Sequence, residues 1–130
     1  MSAFVGREEL CVKSYKELEV WQRSISLVEA VYKLAKTFPA DERFGLVSQV
    51  QRAAVSIPAN IAEGWARGST KEYIQFLKIA RGSLMEVETH IIVATKLKYI
   101  GEAETERLAA DIESIGMMLN RLIQRLNARQ

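Results

Sequence analysis

Residues 69–96 read STKEYIQFLKIARGSLMEVETHIIVATK, and this stretch decides the fold. Within it Tyr73, Leu77, Ala80, Leu84, Val87, Ile91 and Ala94 recur at intervals of 4, 3, 4, 3, 4 and 3, which stacks them on one face of an α-helix. Ser69-Thr70-Lys71-Glu72 at its start is a capping box, in which the serine hydroxyl and the glutamate carboxylate can satisfy each other's amides. Gly101, just after Ile100, supplies a left-handed stop. The spacing predicts a helix over about 70–100.

The same period extends to both sides. Upstream, Leu18, Trp21, Ile25, Val28, Tyr32 and Ala35 form a stripe on a helix over about 15–37, ended by Phe38-Pro39 because the residue before proline is pushed out of the α region. Leu46, Val50, Ala53 and Ile57, flanked by Val47, Ala54 and Ile61, mark a helix over about 42–65. Pro58 lies inside it, cannot donate to the Ala54 carbonyl, and should kink it. Downstream, Leu108, Ile112, Ile115, Leu119, Leu122 and Leu126 mark a helix over about 103–127. Its acidic start (Glu102, Glu104, Glu106) and basic end (Arg121, Arg125, Arg129) suit the helix dipole. The connections are short, so neighbours should be antiparallel. The expected fold is therefore all-α, an antiparallel up-down-up-down four-helix bundle packed left-handed with a Pro58 kink. Residues 1–13 show no sustained period and read as a loose leader, leaving 14–130 as one domain.

Composition narrows the chemistry. Cys11 is the sole cysteine and His90 the sole histidine, which excludes an internal disulfide, a cysteine cage and a His-rich metal site. No apolar run reaches the roughly 18–20 residues of a membrane span, and no secretory signal opens the chain. The expectation is a cytoplasmic protein with no cofactor and no small-molecule substrate.

Two polar lines and a second set of apolar positions exceed what a plain bundle needs. Gln49, Arg52, Ser56, Asn60 and Glu63 form a ridge on the second helix, and Ser83, Glu86 and His90, with Glu88 nearby, a shorter line on the third. Either these are solvated faces, or Arg52 meets Glu86 or Glu63 and fixes register within or between subunits. His90 has Glu86 one turn away but no nucleophile, phosphate loop or carboxylate set beside it, so catalysis is not expected. Val20, Leu27, Val31, Leu34, Ile74, Ile92 and Tyr99 lie off the main stripes and are candidates for a self-association surface. The net charge is only +2. Yet Arg67, Lys71, Lys78 and Arg81 at the start of the third helix should share one end of the bundle with Arg121, Arg125 and Arg129. That end is the candidate contact for nucleic-acid phosphates. Ordinary dipole-complementing surface charge is the alternative.

The segment Gln49-Val-Gln-Arg-Ala-Ala-Val-Ser-Ile-Pro-Ala-Asn-Ile-Ala-Glu-Gly64, preceded by Phe44-Gly45-Leu46, resembles the hallmark of four-helix-bundle proteins first described in intervening sequences of bacterial 23S rRNA genes. Leu18-x-Val20-Trp21-Gln22, Phe38-Pro39, Tyr73-x-x-Phe76-Leu77-x-Ile79-Ala80-x-Gly82-Ser83-Leu84 and Glu86-x-Glu88-Thr89 extend the likeness over about 15–99. The resemblance implies a homopentameric antiparallel bundle. It also implies kinship with accessory proteins of diversity-generating retroelements, which associate with nucleic acid and a reverse transcriptase. Arg52, Asn60, Glu63, Glu86 and Glu88 match polar motif positions that carry no catalytic role. The expected function is a non-enzymatic homo-oligomeric scaffold binding RNA or DNA through a basic rim. A protein-interaction adaptor without nucleic-acid binding is the alternative.

Overall fold

The computed structural model describes residues 12–130, so Cys11 and nearly all of the expected leader lie outside the described residues. Four α-helices and no strand occur among them: α1 (Glu19–Ala35), α2 (Leu46–Ala66), α3 (Thr70–Lys96) and α4 (Glu102–Ala128). The helices pack side by side as a bundle, α3 contacting both α2 and α4 and α1 contacting the same two from the other side.

Helix ends follow local chemistry. Single 3₁₀ turns at Tyr15–Glu17 and Ala40–Glu42 precede α1 and α2, so these helices start later than their apolar period suggested. Leu18 is extended and separates the first turn from α1. Glu42 replaces a conventional N-cap for α2, its Oε1 accepting the Leu46 amide at 3.1 Å. Ser69 caps α3 by accepting the Glu72 amide at 3.1 Å. The carboxylate of Glu72 goes instead to Arg67 at 3.6 Å. The end of α3 corrects the sequence reading. The left-handed residue is Lys98, at φ 66°, while Gly101 has φ −86° and serves as the N-cap of α4. The Tyr99 and Lys98 amides donate to the Ala94 and Thr95 carbonyls at 2.9 and 3.0 Å, a Schellman closure that puts its penultimate residue, Lys98, in the left-handed region.

The stripes expected on α3 and α4 are all buried, from Tyr73 to Ala94 and from Leu108 to Leu126. On α2 the buried residues are Val50, Ala53, Ala54, Ile57, Pro58, Ile61 and Gly64, and the helix runs on through the proline. Helix α1 is rotated from the expected face. Its buried residues are Val20, Ser24, Leu27, Val31 and Ala35, so Val20, Leu27 and Val31 belong to the core and not to a self-association surface. Trp21 and Tyr32 explain the rotation: aromatic rings with polar tips settle at the edge of a core, where the tip reaches water. Trp21 meets Tyr15 edge-on at 5.4 Å, and Tyr15 meets Trp65 at 6.0 Å. Ile74 is likewise buried.

Side-chain contacts give the register. Ser56 pairs with Ser83 between α2 and α3, and Gly64 faces Tyr73 and Phe76. Arg81 bonds Asn120 and Thr95 bonds Thr105 between α3 and α4. In each pair the residue numbers run in opposite senses. The tightest point is Gly64, where an added Cβ would lie 2.7 Å from the Phe76 Cβ and 3.2 Å from the Tyr73 carbonyl oxygen.

Gly64→Ala should therefore push α2 from α3 and cost about 1–3 kcal/mol, read as a lowered urea midpoint with unchanged slope. Lys98→Gly should act in the other direction, raising stability by roughly 1 kcal/mol as the left-handed strain is removed, a gain visible as a higher thermal midpoint.

Candidate nucleic-acid interface

The end of α2, the start of α3 and the finish of α4 come together. A hollow of about 180 Å³ is lined by Gly64, Trp65, Gly68, Ser69, Thr70, Tyr73, Leu126 and Arg129. The turn that builds it needs Gly68, which sits at φ 80° with open space around it. Thus Arg129, 60 residues away in the chain, stands beside the α2–α3 turn that carries Arg67 and Lys71.

The seven basic candidates are not equivalent. Arg67 holds Glu63 at 2.9 Å and Glu72 at 3.6 Å, and lies 4.8 Å over the Phe76 ring. It neutralises the two nearest acids and has little left for a ligand. Arg81 donates to Asn120 Oδ1 at 2.9 Å, bracing α3 on α4. Arg125 is half-buried. Arg121 lines a pocket with Glu17, Glu19 and Met118 at the start of α1, an acidic neighbourhood. Lys71, Lys78 and Arg129 are exposed and make no ion pair within 4 Å among the described residues.

The polar ridge is divided. Gln49, Arg52, Ser56, Glu86 and His90 line one shallow depression between α2 and α3. Arg52 does not pair with Glu86 or Glu63 among the described residues, and Glu63 is taken by Arg67 one turn on. The register contact is neutral instead. Ser56 Oγ and the buried Ser83 Oγ share a 2.7 Å hydrogen bond, and Asn60 Nδ2 donates to the Ser56 carbonyl at 2.7 Å and to its Oγ at 3.0 Å. Two small hydroxyls suit a close helix contact because neither brings a charge to desolvate. The sequence marks Ser56 and Ser83 only as polar positions. The i, i+4 placement of Ser56 and Asn60 was the signal for their bond. Glu88 is half-buried and joins no ion pair among the described residues. No three His, Cys, Asp or Glu residues are grouped for a metal among the described residues.

Of the remaining surface candidates, Leu34 packs half-buried against the core, and Ile92 is exposed at 47%. Tyr99 is a tertiary clasp. Its ring lies 5.5 Å from Phe38, and its hydroxyl donates to Glu42 Oε2 at 2.8 Å. That hydrogen bond, with the Leu46 amide second, holds the Glu42 carboxyl below its ordinary value of 4.5. The same bond raises the Tyr99 phenol. Among the described residues no helix is long and apolar enough to cross a membrane.

Comparison with known proteins adds a family and a structure. The model of the 23S rRNA-intervening sequence proteins matches residues 16–121. A solved structure from Bacteroides thetaiotaomicron is 26% identical, with a TM-score of 0.74. The match covers 80% of this chain and 97% of that one, which is described as a protein of unknown function from the S23 ribosomal protein family. No curated protein matches.

The Glu42 clasp has a definite pH signature. A carboxyl whose folded value is depressed contributes stability above its unfolded value and loses it as pH falls through the folded one. Glu42→Gln should lower the thermal midpoint at neutral pH, and the gap to the unaltered protein should start to narrow below about 4.5 and close only below the depressed folded value. Melting curves across that window check it.

Proposed function

The chain belongs to the 23S rRNA-intervening sequence protein family, and from that premise we propose that it is a non-enzymatic homo-oligomeric scaffold, pentameric by kinship, that binds RNA or DNA through its basic end. The observation that carries this reading is the convergence of Arg129 with the α2–α3 turn. Lys71 stands in the first turn of α3 at that end and Lys78 about two turns farther along, while Glu102, Glu104 and Glu106 stand at the other end of α4. The net charge of +2 is thus a sum over a polarised molecule. Copies arranged with the same end together would multiply the basic patch, and phosphate binding rises with each counterion released.

Self-association is supported by exposed apolar side chains outside the core: Ile79, Met85, Ile92 and Val93 on α3, and Met117 on α4. Exposed apolar side chains of this kind seek cover. The same residues favour the second reading, an adaptor for a protein partner such as a reverse transcriptase. The non-enzymatic reading rests on the depression at Arg52, Glu86 and His90. Its one hydroxyl, Ser56, is bonded to Ser83 and Asn60 and not to the histidine.

Sedimentation at micromolar concentration should give a multiple of the 14.7 kDa chain mass; a monomer would overturn the oligomer. Filter binding to structured RNA should weaken steeply between about 50 and 200 mM salt. Replacing Lys71, Lys78 and Arg129 together by glutamine should reduce both affinity and salt slope. Undiminished binding in that variant would reject the basic end.

A further inference from the structure

Phe44 is the most exposed large apolar side chain among the described residues, at 88%, and the turn that carries it is firmly tied. Between α1 and α2 the Arg43 amide donates to the Ala40 carbonyl at 3.2 Å, and the Gly45 amide to the Glu42 carbonyl at 3.0 Å. The Glu42 carboxylate in turn accepts the Leu46 amide and the Tyr99 hydroxyl. A Cβ at Gly45 would lie 2.9 Å from Glu42 Oε1, so the turn closes about as tightly as a glycine allows. The Arg43 guanidinium lies 5.3 Å from the Phe44 ring centroid and leaves the ring in solvent. An aromatic side chain held out on a fixed turn has the form of an anchor, the kind of residue that dominates a protein contact by filling a pocket.

A pocket of the right size lies at the same end of the bundle. A groove of about 240 Å³ runs between the last turns of α1 and the first turns of α4, and the turn bearing Phe44 follows α1 directly. Half-buried Ala30 and Leu34 and buried Leu108 give the groove an apolar floor, with exposed Lys33 and Asp111 at its rim. A closed apolar cavity of roughly 150 Å³ already takes a benzene ring, so a phenyl group fits here. Phe44 is not among the residues that line the groove, so the chain does not fill it with its own ring. Charges match as well. Asp41 and Arg43 flank the anchor, Lys33 and Asp111 flank the floor, and all four are exposed without an ion pair within 4 Å among the described residues. The other two rim charges, Glu104 and Arg107, satisfy each other at 3.5 Å.

We infer that a second copy of this chain covers both features: Phe44 of one copy seats in the α1–α4 groove of the next, with Arg43 facing Asp111 and Asp41 facing Lys33. The inference deepens the homo-oligomer reading and rests on it for the identity of the occupant. Two different patches meet, so the contact is heterologous and each copy keeps one anchor and one groove for further neighbours. Because both patches lie at one end of the bundle, repetition brings little rise along its axis, the condition for a closed ring instead of an open filament.

Sedimentation velocity of the full chain across a micromolar dilution series tests the contact. Phe44→Ala should weaken self-association at least about tenfold, as truncation of a central aromatic anchor does. Arg43→Asp and Asp111→Arg should each weaken it by about tenfold through like-charge contact, and the two together in one chain should regain most of the loss. All three side chains are exposed, and circular dichroism should show every variant folded. An unaltered protein that stays monomeric overturns this contact and the homo-oligomer reading together, leaving Phe44 to a different protein partner. An oligomer unmoved by Phe44→Ala overturns the contact and leaves that reading standing. An oligomer weakened by Phe44→Ala but not regained by the paired charge exchange overturns the α1–α4 groove as the seat of the ring.

Discussion

The close approach of α2 to α3 is the constraint on which the rest of the molecule depends. Gly64 sits against Tyr73 and Phe76 without room for a methyl group. Farther along, Ser56 and Ser83 meet through their hydroxyls. Small residues let the helices touch along their length, and the turn between them can then be as short as three residues, 67–69. That turn places Arg67 where it can gather Glu63 and Glu72, and it opens the start of α3 toward the finish of α4. A wider crossing would separate Arg129 from the α3 amides.

Charge follows from this geometry. The acids and bases of α4 are segregated along one helix, so its dipole and its side chains reinforce each other. The α2–α3 turn then consumes some charges and leaves others. Arg67 is spent on its neighbours, while Lys71, Lys78 and Arg129 stay in solvent. At the opposite end Glu42 is used twice, as acceptor for the α2 amide and for the Tyr99 hydroxyl. The two ends differ in kind: one is closed by an internal clasp, the other presents donors outward.

The helices were legible because 3-and-4 spacing is unambiguous when one apolar stripe dominates, as on α3 and α4. On α1 two stripes compete, and periodicity has no means of ranking them. The stripe carrying Trp21 and Tyr32 is the more hydrophobic by count, yet these large rings fit the edge and the smaller Ser24, Leu27 and Val31 fit the interior. Tyr73 was legible as a core residue; that its hydroxyl lacks a partner among the described residues depends on what the other helices bring beside it. The basic end was visible as two clusters in the chain, but which arginines remain unpaired was not.

By itself the sequence determined four helices, the faces of three of them, the Ser69 cap, and the polarity of α4, since each of these depends on residues within a few turns of one another. Only the tertiary structure decided which face of α1 is buried, which residue of the α3–α4 turn takes the left-handed conformation, and which charges near the α2–α3 turn are free. The α1 face and the surroundings of Arg129 depend on distances between residues far apart in the chain, whereas the Lys98 turn is closed by its own neighbours, Ala94 and Thr95. Side-chain volume and hydrogen-bond competition across helices set those distances, and a periodic pattern along one helix carries no information about either.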